Sequence, residues 1–244
     1  MEVQRNWIDS SDNIQQEDEK VLRYVNPECR FQYEILRESG LYNRLVSEGL
    51  LLEQCITGFV QQGASSHCIM QMERILRITY PYEWSFKQLK DASLTMLRVH
   101  RLALNYGMML KDAGAGNIQF VDEKAKLTDA LSLVLYEEGT GWGAYDQFCR
   151  HFLAPLLLMK HVDYRLHQLL RVYHDGIPLD QASKMLKNTR DLATLRHIHL
   201  HAISVARREK AGANLLVRKT AKVRKASQIS QIESLIHIVE NLDL

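Results

Sequence analysis

The chain has 244 residues, of which 46% are hydrophobic and 25% are charged, and its formal net charge is +2. This composition is that of a folded globular protein with room for a sizeable core, and the small net charge gives no overall reason to expect a nucleic acid as partner. Four prolines and twelve glycines argue against an all-β sandwich, and four widely spaced cysteines favour reduced thiols in a cytoplasm over disulfides or a zinc site.

The chain begins with an acidic segment. Residues 1–19 carry six acidic side chains and one arginine, which predicts a flexible or partner-bound leader. The N-terminus has no apolar signal segment, and the longest apolar run, Phe152–Met159, is too short to span a bilayer. We therefore expect a cytoplasmic protein that does not enter a membrane.

Residues 20–84 predict a small unit of one helix and short strands. A helical pattern begins near Pro27 and stops at Gly49, two apolar runs around the polar turn "QQGASS" follow as strands, and the aromatic stretch Tyr80–Trp84 ends the unit. We expect this part to be the reduced N-terminal lobe of a larger fold.

Residues 85–205 predict a mainly helical second lobe. A strong amphipathic helix begins at Ser85, a plausible N-cap, and ends at Gly107. A loop, the strand "IQFV", a charged turn and the strand "KLTD" come next, and the rest of the chain reads as helices. A basic stretch and a last helix occupy residues 206–244.

Three polar side chains at unusual intervals mark the loop and hairpin. Asp112 is followed by Asn117 five residues later, and Asp129 comes twelve residues after that, at the end of the second predicted strand. A transferring phosphoryl group needs a carboxylate to orient or deprotonate the attacking hydroxyl, and oxygen ligands to hold Mg²⁺. The alternative is structural: Asp112 and Asn117 cap a turn and Asp129 ends a strand.

With the preceding helix, this stretch resembles the catalytic core of protein-kinase-like and aminoglycoside-phosphotransferase-like enzymes. The resemblance implies an α+β, kinase-like, two-lobed fold that binds ATP and Mg²⁺, with Asp112 as catalytic base and Asn117 and Asp129 as metal ligands. The aromatic stretch would be the hinge between the lobes, where Tyr82 and Glu83 contact the nucleotide, or else an aromatic anchor for the following helix.

The sequence departs from that family at several positions. Leu110 stands where such enzymes usually have His, and Gly114 stands where protein kinases have Lys. Asp129 is followed by Ala130 and Leu131, so the D-F-G glycine is absent. Residues 50–80 contain neither a glycine-rich loop nor a V-A-I-K lysine; they offer Arg74 or Arg77 as the cation.

A second resemblance covers about residues 24–202. It rests on stretches such as "YPYEWSFKQLKDASLTML", "YDQFCRHFLAPLLLM" and "HIHLHA", which are similar to the N-terminal region of bacterial proteins described as S-adenosylmethionine-dependent methyltransferases, some with a nodulation-related label. No strand, glycine loop and helix unit for a methyl donor follows here. This resemblance implies an accessory region, standing alone or as a fragment, with a methyltransferase or another protein as partner.

Two further patterns allow more than one interpretation. His197, His199 and His201 would share one face of a strand and could bind a metal, but the flanking sequence favours a helix. Residues 207–225 carry eight Lys or Arg and one acid, which could contact nucleic acid or an acidic partner, although a solvated helix face is the commoner explanation.

Two functions thus remain open. The first is an ATP- and Mg²⁺-dependent phosphotransferase or its degenerate pseudokinase descendant. The second is a non-catalytic interaction module associated with a methyltransferase domain or partner.

Overall fold

A computed structural model of the chain describes residues 13–17, 20–26, 28–62, 65–191, 193–204 and 223–244. Within them the chain is a mixed α+β protein. No helix among these residues is both long enough and apolar enough to cross a bilayer. Most of the predicted basic stretch, residues 205–222, lies outside the described residues.

The first part of the chain builds a four-stranded antiparallel sheet with two helices. Its elements are β1 Asn13–Glu17, β2 Lys20–Val25, α1 Glu28–Glu38, α2 Leu41–Ser47, β3 Gln54–Gln62 and β4 Ser65–Glu73. The strand order is β1-β2-β4-β3, and every neighbouring pair is antiparallel. Strand β1 therefore forms inside the segment that the sequence predicts as a leader.

The helix predicted between Pro27 and Gly49 is divided in two. Gly40 adopts a left-handed conformation (φ 81°) between α1 and α2, which an L-residue with a side chain adopts only at a cost. Gly49 is also left-handed (φ 68°) and ends α2, as the sequence predicts.

The second part begins with the long helix that the sequence predicts. Its elements are a 3₁₀ turn Pro81–Glu83, α3 Phe86–Asn105, β5 Met108–Leu110, a 3₁₀ turn Ala115–Asn117, β6 Ile118–Val121, β7 Lys124–Leu127, a 3₁₀ turn Ala130–Ser132 and β8 Leu133–Leu135. Ser85 caps α3 by accepting a hydrogen bond from the Gln88 N–H, at 3.2 Å, and Gly107 follows the helix with φ 72°. Both predicted boundaries of α3 are thus confirmed.

The hairpin is also confirmed, with a shift in its second strand. Strands β6 and β7 pair antiparallel from Ile118↔Leu127 to Val121↔Lys124. The turn consists of only two residues, Asp122 and Glu123, which both have positive φ (50° and 61°). Such a turn matches the twist of the flanking strands, so β7 starts two residues before the predicted "KLTD".

Helices complete the molecule. They are α4 Tyr145–Phe148, continued by a π-helical segment Cys149–Leu153 into α5 Ala154–His161; a 3₁₀ helix Tyr164–Arg171; α6 Leu179–Met185; a π-helical segment Thr194–His199, helical up to residue 204; and α7 Lys225–Glu240. Helix α7 packs along α3, and α3 also contacts β5, β7 and α5. The main core therefore surrounds α3 and the two short sheets.

Candidate functional site

The loop with Asp112 and the segment with Asp129 are joined by a small sheet. Strands β5 and β8 pair antiparallel, from Met108↔Leu135 to Leu110↔Leu133. One residue further on, the Lys111 N–H donates to the Ser132 carbonyl at 2.8 Å. Strand β8 thus returns the chain after Asp129 to the strand that leads into Asp112.

Asn117 and Asp129 lie at the same end of the β6–β7 hairpin. The Asn117 carbonyl accepts hydrogen bonds from both the N–H (2.8 Å) and the hydroxyl (3.1 Å) of Thr128, the residue before Asp129. The backbone therefore brings the three predicted side chains into one neighbourhood, although they are up to seventeen residues apart in sequence.

The Asp112 carboxylate is held by one of its two oxygens. Its Oδ1 accepts from the Gly114 N–H at 2.9 Å and from Nε2 of Gln147 at 2.7 Å, while the Gln147 Oε1 accepts from the Ala113 N–H at 2.7 Å. Gln147 comes from α4, so its amide clamps the loop from the helical side. Among the described residues Oδ2 of Asp112 accepts no hydrogen bond, which leaves one oxygen available.

The Asp129 carboxylate is used in a different way. Its Oδ1 accepts from Nη1 of Arg23 at 2.8 Å and from the Leu131 N–H at 3.1 Å, and its Oδ2 accepts from the Ser132 hydroxyl at 2.6 Å. Asp129 therefore caps the following 3₁₀ turn and forms a buried ion pair as well, whereas the structural interpretation placed it at the end of a strand, which in fact ends at Leu127.

The polypeptide around Asp129 is fixed by two glutamines. Gln54 of β3 donates from Nε2 to the Thr128 carbonyl at 2.8 Å. Gln32 of α1 donates to the carbonyls of Leu131 and Leu133, at 2.6 and 2.9 Å. The sheet and α1 thus hold residues 128–133 by hydrogen bonds on both sides of Asp129.

Two of the predicted nucleotide-contact residues, Tyr82 and Glu83, lie beside Tyr80. Glu83 accepts from the Tyr80 N–H at 3.0 Å, and the Tyr82 ring stacks on Tyr80 with its centroid 5.4 Å away. Arg77 is exposed. Neither Arg77, Tyr82 nor Glu83 forms a hydrogen bond or ion pair with the Asp112–Asn117–Asp129 group in the described part of the chain.

The aromatic stretch is at the same time anchored to the hairpin. The Thr79 backbone and the Gln119 side chain exchange two hydrogen bonds, at 3.0 and 3.1 Å. Trp84 is buried, and its ring lies edge-on to that of Phe120, with 5.4 Å between the centroids. These contacts support the anchor interpretation, and they also fix the stretch beside β6.

The three alternating histidines lie on a helix and face different partners. Nδ1 of His197 is 2.6 Å from the Tyr145 hydroxyl, Nδ1 of His199 is 2.6 Å from the Ser183 hydroxyl, and Nε2 of His201 is 3.0 Å from the Asp146 carboxylate. The predicted helix is confirmed. No group of three metal-binding side chains is present among the described residues.

Sequence reasoning missed two residues of the site, Arg23 and Gln147. The strand that carries Arg23 reads "KVLRYV", and its alternation places Arg23 on the buried face with Val25. A charged residue at an inward-facing strand position was the available signal for a buried partner. Gln147 had no signal, because a glutamine in an amphipathic helix is ordinary.

Comparison with known proteins finds a relative that this chain matches over part of its length. No protein-family model matches the chain. The nodulation protein NoeA of Rhizobium meliloti (strain 1021) is 32% identical over 192 residues, which cover 75% of this chain and 39% of NoeA. The chain thus spans about two fifths of that relative's length.

The solved structures include a weak match to a kinase, titled "Structure of vaccinia related kinase 3". It covers 92% of this chain and 85% of the matched chain, with 11% sequence identity and a TM-score of 0.39. A score this low carries no argument about fold or function.

Proposed function

We propose that this chain is a kinase-like domain that binds a nucleoside triphosphate, ATP being the probe of choice, between its four-stranded sheet and its helical part. The observation that carries the proposal is the return of β8 to β5. A helix, a strand, Asp112, Asn117, a hairpin, Asp129 and a returning strand follow one another in the order that phosphotransferases of this type use.

In this proposal Asp112 is the general base, which takes the proton from the hydroxyl group that receives the phosphoryl group. General base action requires a carboxylate oxygen within hydrogen-bond reach of the acceptor. Oδ2 of Asp112 suits this role, since Oδ1 alone takes up the hydrogen bonds from Gly114 and Gln147. The half-buried Asn117 has no hydrogen bond on its side-chain amide within the described residues, so this amide suits the role of a ligand to a phosphate-bound cation.

Arg23 supplies the cation that a phosphate site needs. In kinases a basic side chain from the N-terminal sheet contacts the nucleotide phosphates. Arg23 lies on β2 of the four-stranded sheet and reaches Asp129. We favour it over Arg77, which forms no hydrogen bond or ion pair with this group within the described part of the chain.

The test is thermal unfolding with and without ATP, followed by a turnover assay. ATP raises the melting temperature of the wild type, and Asp112→Ala retains that shift while it loses any phosphate transfer or ATP hydrolysis, by roughly 10²–10⁴-fold in rate. Asp180→Ala is the control, since it removes a carboxylate that pairs with Lys184 on α6. Equal turnover by Asp112→Ala and wild type would remove Asp112 from the mechanism.

A second candidate is a non-catalytic interaction module. The Asp129 carboxylate favours it, because three of its lone-pair sites already accept hydrogen bonds from protein donors. An unchanged melting temperature with ATP, together with no turnover, would favour this module. The partner of such a module is a methyltransferase or another protein.

A further inference from the structure

The ion pair between Arg23 and Asp129 is buried. Nη1 of Arg23 lies 2.8 Å from Oδ1 of Asp129, and the two side chains are only 6% and 12% exposed. The residues are 106 positions apart in sequence, and they join β2 to the segment after the hairpin. A buried ion pair between distant elements needs matched partners, because either charge alone is costly to bury.

The carboxylate has little capacity left for another cation. An ionised aspartate offers about four lone-pair sites. Three of them accept hydrogen bonds, from Arg23, from the Leu131 N–H and from the Ser132 hydroxyl. Gln54 and Gln32 hold the adjoining backbone, so the carboxylate cannot turn freely toward a new partner.

A divalent metal ion therefore does not fit Asp129 in this arrangement. Mg²⁺ would require a carboxylate oxygen at roughly 2.0–2.1 Å in near-octahedral geometry. The guanidinium of Arg23 already supplies positive charge at that oxygen, and a second cation beside it would be repelled. The metal role predicted for Asp129 thus conflicts with the contacts that this side chain makes.

We infer that Arg23 is a built-in counter-ion that takes the place of a divalent cation at Asp129. Two consequences follow. The wild-type protein binds no Mg²⁺ or Mn²⁺ through Asp129, and any dependence of nucleotide binding on a divalent ion, which rests on the proposed function, does not involve Asp129. Removing the guanidinium leaves a buried carboxylate that a divalent cation can neutralise.

The decisive variant is Arg23→Gln, with Arg98→Gln as matched control. Arg98 also joins two distant elements, through Glu240, but its ion pair is about half exposed. Free Mn²⁺ is titrated by electron paramagnetic resonance, and melting is measured in EDTA and in Mn²⁺. We expect Mn²⁺ to bind Arg23→Gln and raise its melting temperature, and to leave wild type and Arg98→Gln unchanged.

The double variant Arg23→Gln/Asp129→Asn is expected to lose the Mn²⁺ response. A folded Arg23→Gln without any Mn²⁺ response would overturn the inference. If Arg23→Gln does not fold, the inference is tested by comparing Mn²⁺ binding by wild type with Mn²⁺ binding by Asp129→Asn. Mn²⁺ binding by wild type that Asp129→Asn abolishes would also overturn it, and wild type without such binding would support it.

A nucleotide arm separates this inference from the proposed function. If ATP stabilises wild type, and any effect of Mg²⁺ on that stabilisation is the same in Asp129→Asn, both stand. If ATP stabilises wild type only in Mg²⁺, and Asp129→Asn removes that dependence, the proposed function stands and the inference falls. If ATP has no effect while Arg23→Gln responds to Mn²⁺, the proposed function falls and the counter-ion remains.

Discussion

Gln147 shows why an amide, and not a carboxylate, suits the position beside Asp112. The side chain must donate to a carboxylate and accept from a backbone N–H at the same time, and an amide carries a donor and an acceptor on one planar group, whereas a carboxylate only accepts. A Cβ on Gly114 would lie 3.1 Å from Nε2 of Gln147, so the loop and the clamp are closely packed. The loop that presents Asp112 thus depends on this single side chain from α4.

We therefore predict that Gln147→Glu destabilises the protein more than Gln147→Ala. The alanine variant loses two hydrogen bonds, at a cost of about 1–3 kcal/mol. The glutamate variant can still accept from Ala113, but it sets a negative charge against Asp112. Urea unfolding at neutral pH measures both. A glutamate variant as stable as wild type would show that the loop does not depend on the amide donor.

Single residues also mark the limit of what the sequence predicts about the site. The spacing of Asp112, Asn117 and Asp129 was visible because local loop and hairpin geometry fixes it. Arg23 was not, because its partner lies 106 residues away and no local pattern encodes the pairing. The nearly complete hydrogen bonding of the Asp129 carboxylate is likewise a three-dimensional property, because its donors are the Arg23 guanidinium, the Leu131 N–H and the Ser132 hydroxyl.

At the scale of elements, the sequence predicts those that carry their own signals. Helix α3 has apolar periodicity and a capping serine, and the β6–β7 hairpin has two short apolar runs around charged residues. Strand β1 had no signal, because "NIQQE" does not alternate and its pairing with β2 supplies the order. The two π-helical segments lie within stretches that the sequence predicts as ordinary helices, and they carry no signal of their own.

The first π-helical segment is covered by the turn at Gly176, and this contact gives a prediction. Gly176 has φ 82°, and a Cβ there would lie 2.7 Å from Cβ of Arg150 and 2.8 Å from its carbonyl carbon. Gly107 has a similar φ of 72° with no atom within 4 Å of the added carbon. Gly107→Ala should cost about 1–2 kcal/mol from backbone strain alone, and Gly176→Ala about 3 kcal/mol or more.

Chemical denaturation of the two glycine variants separates strain from collision. The Gly107 variant serves as the internal control, because both substitutions add the same methyl group in the same backbone conformation. Equal losses of stability would mean that the turn at Gly176 moves away from Arg150 at little cost, so the π-helical segment is not tightly covered.

At the scale of the whole molecule, three neutral histidines are buried in the core. Burial lowers the pKa of His100 to about 3 and that of His151 and His197 to about 4. In the unfolded chain the histidine pKa is ~6.5, so below that pH the unfolded chain binds protons that the folded state does not bind. Stability is therefore complete above about pH 6.5 and declines as the pH falls toward about 4.

His197→Asn tests this dependence. An asparagine can keep a hydrogen bond to the Tyr145 hydroxyl, which now lies 2.6 Å from Nδ1 of His197, but it does not titrate. We expect wild type to lose about 2 kcal/mol more than the variant between about pH 7.5 and about pH 5. Urea midpoints at both pH values measure the difference, and parallel pH profiles would exclude His197 as a contributor.

The packing of α7 on α3 has a consequence for how the chain folds as it is synthesised. Lys90 donates to the carbonyls of Glu240 and Leu242, about 150 residues further along. At roughly 5–20 residues per second, a ribosome needs about 8–30 s to make that interval. During that time the face of α3 that receives α7 has no cover from its partner, and this is the period in which a chaperone would be needed most.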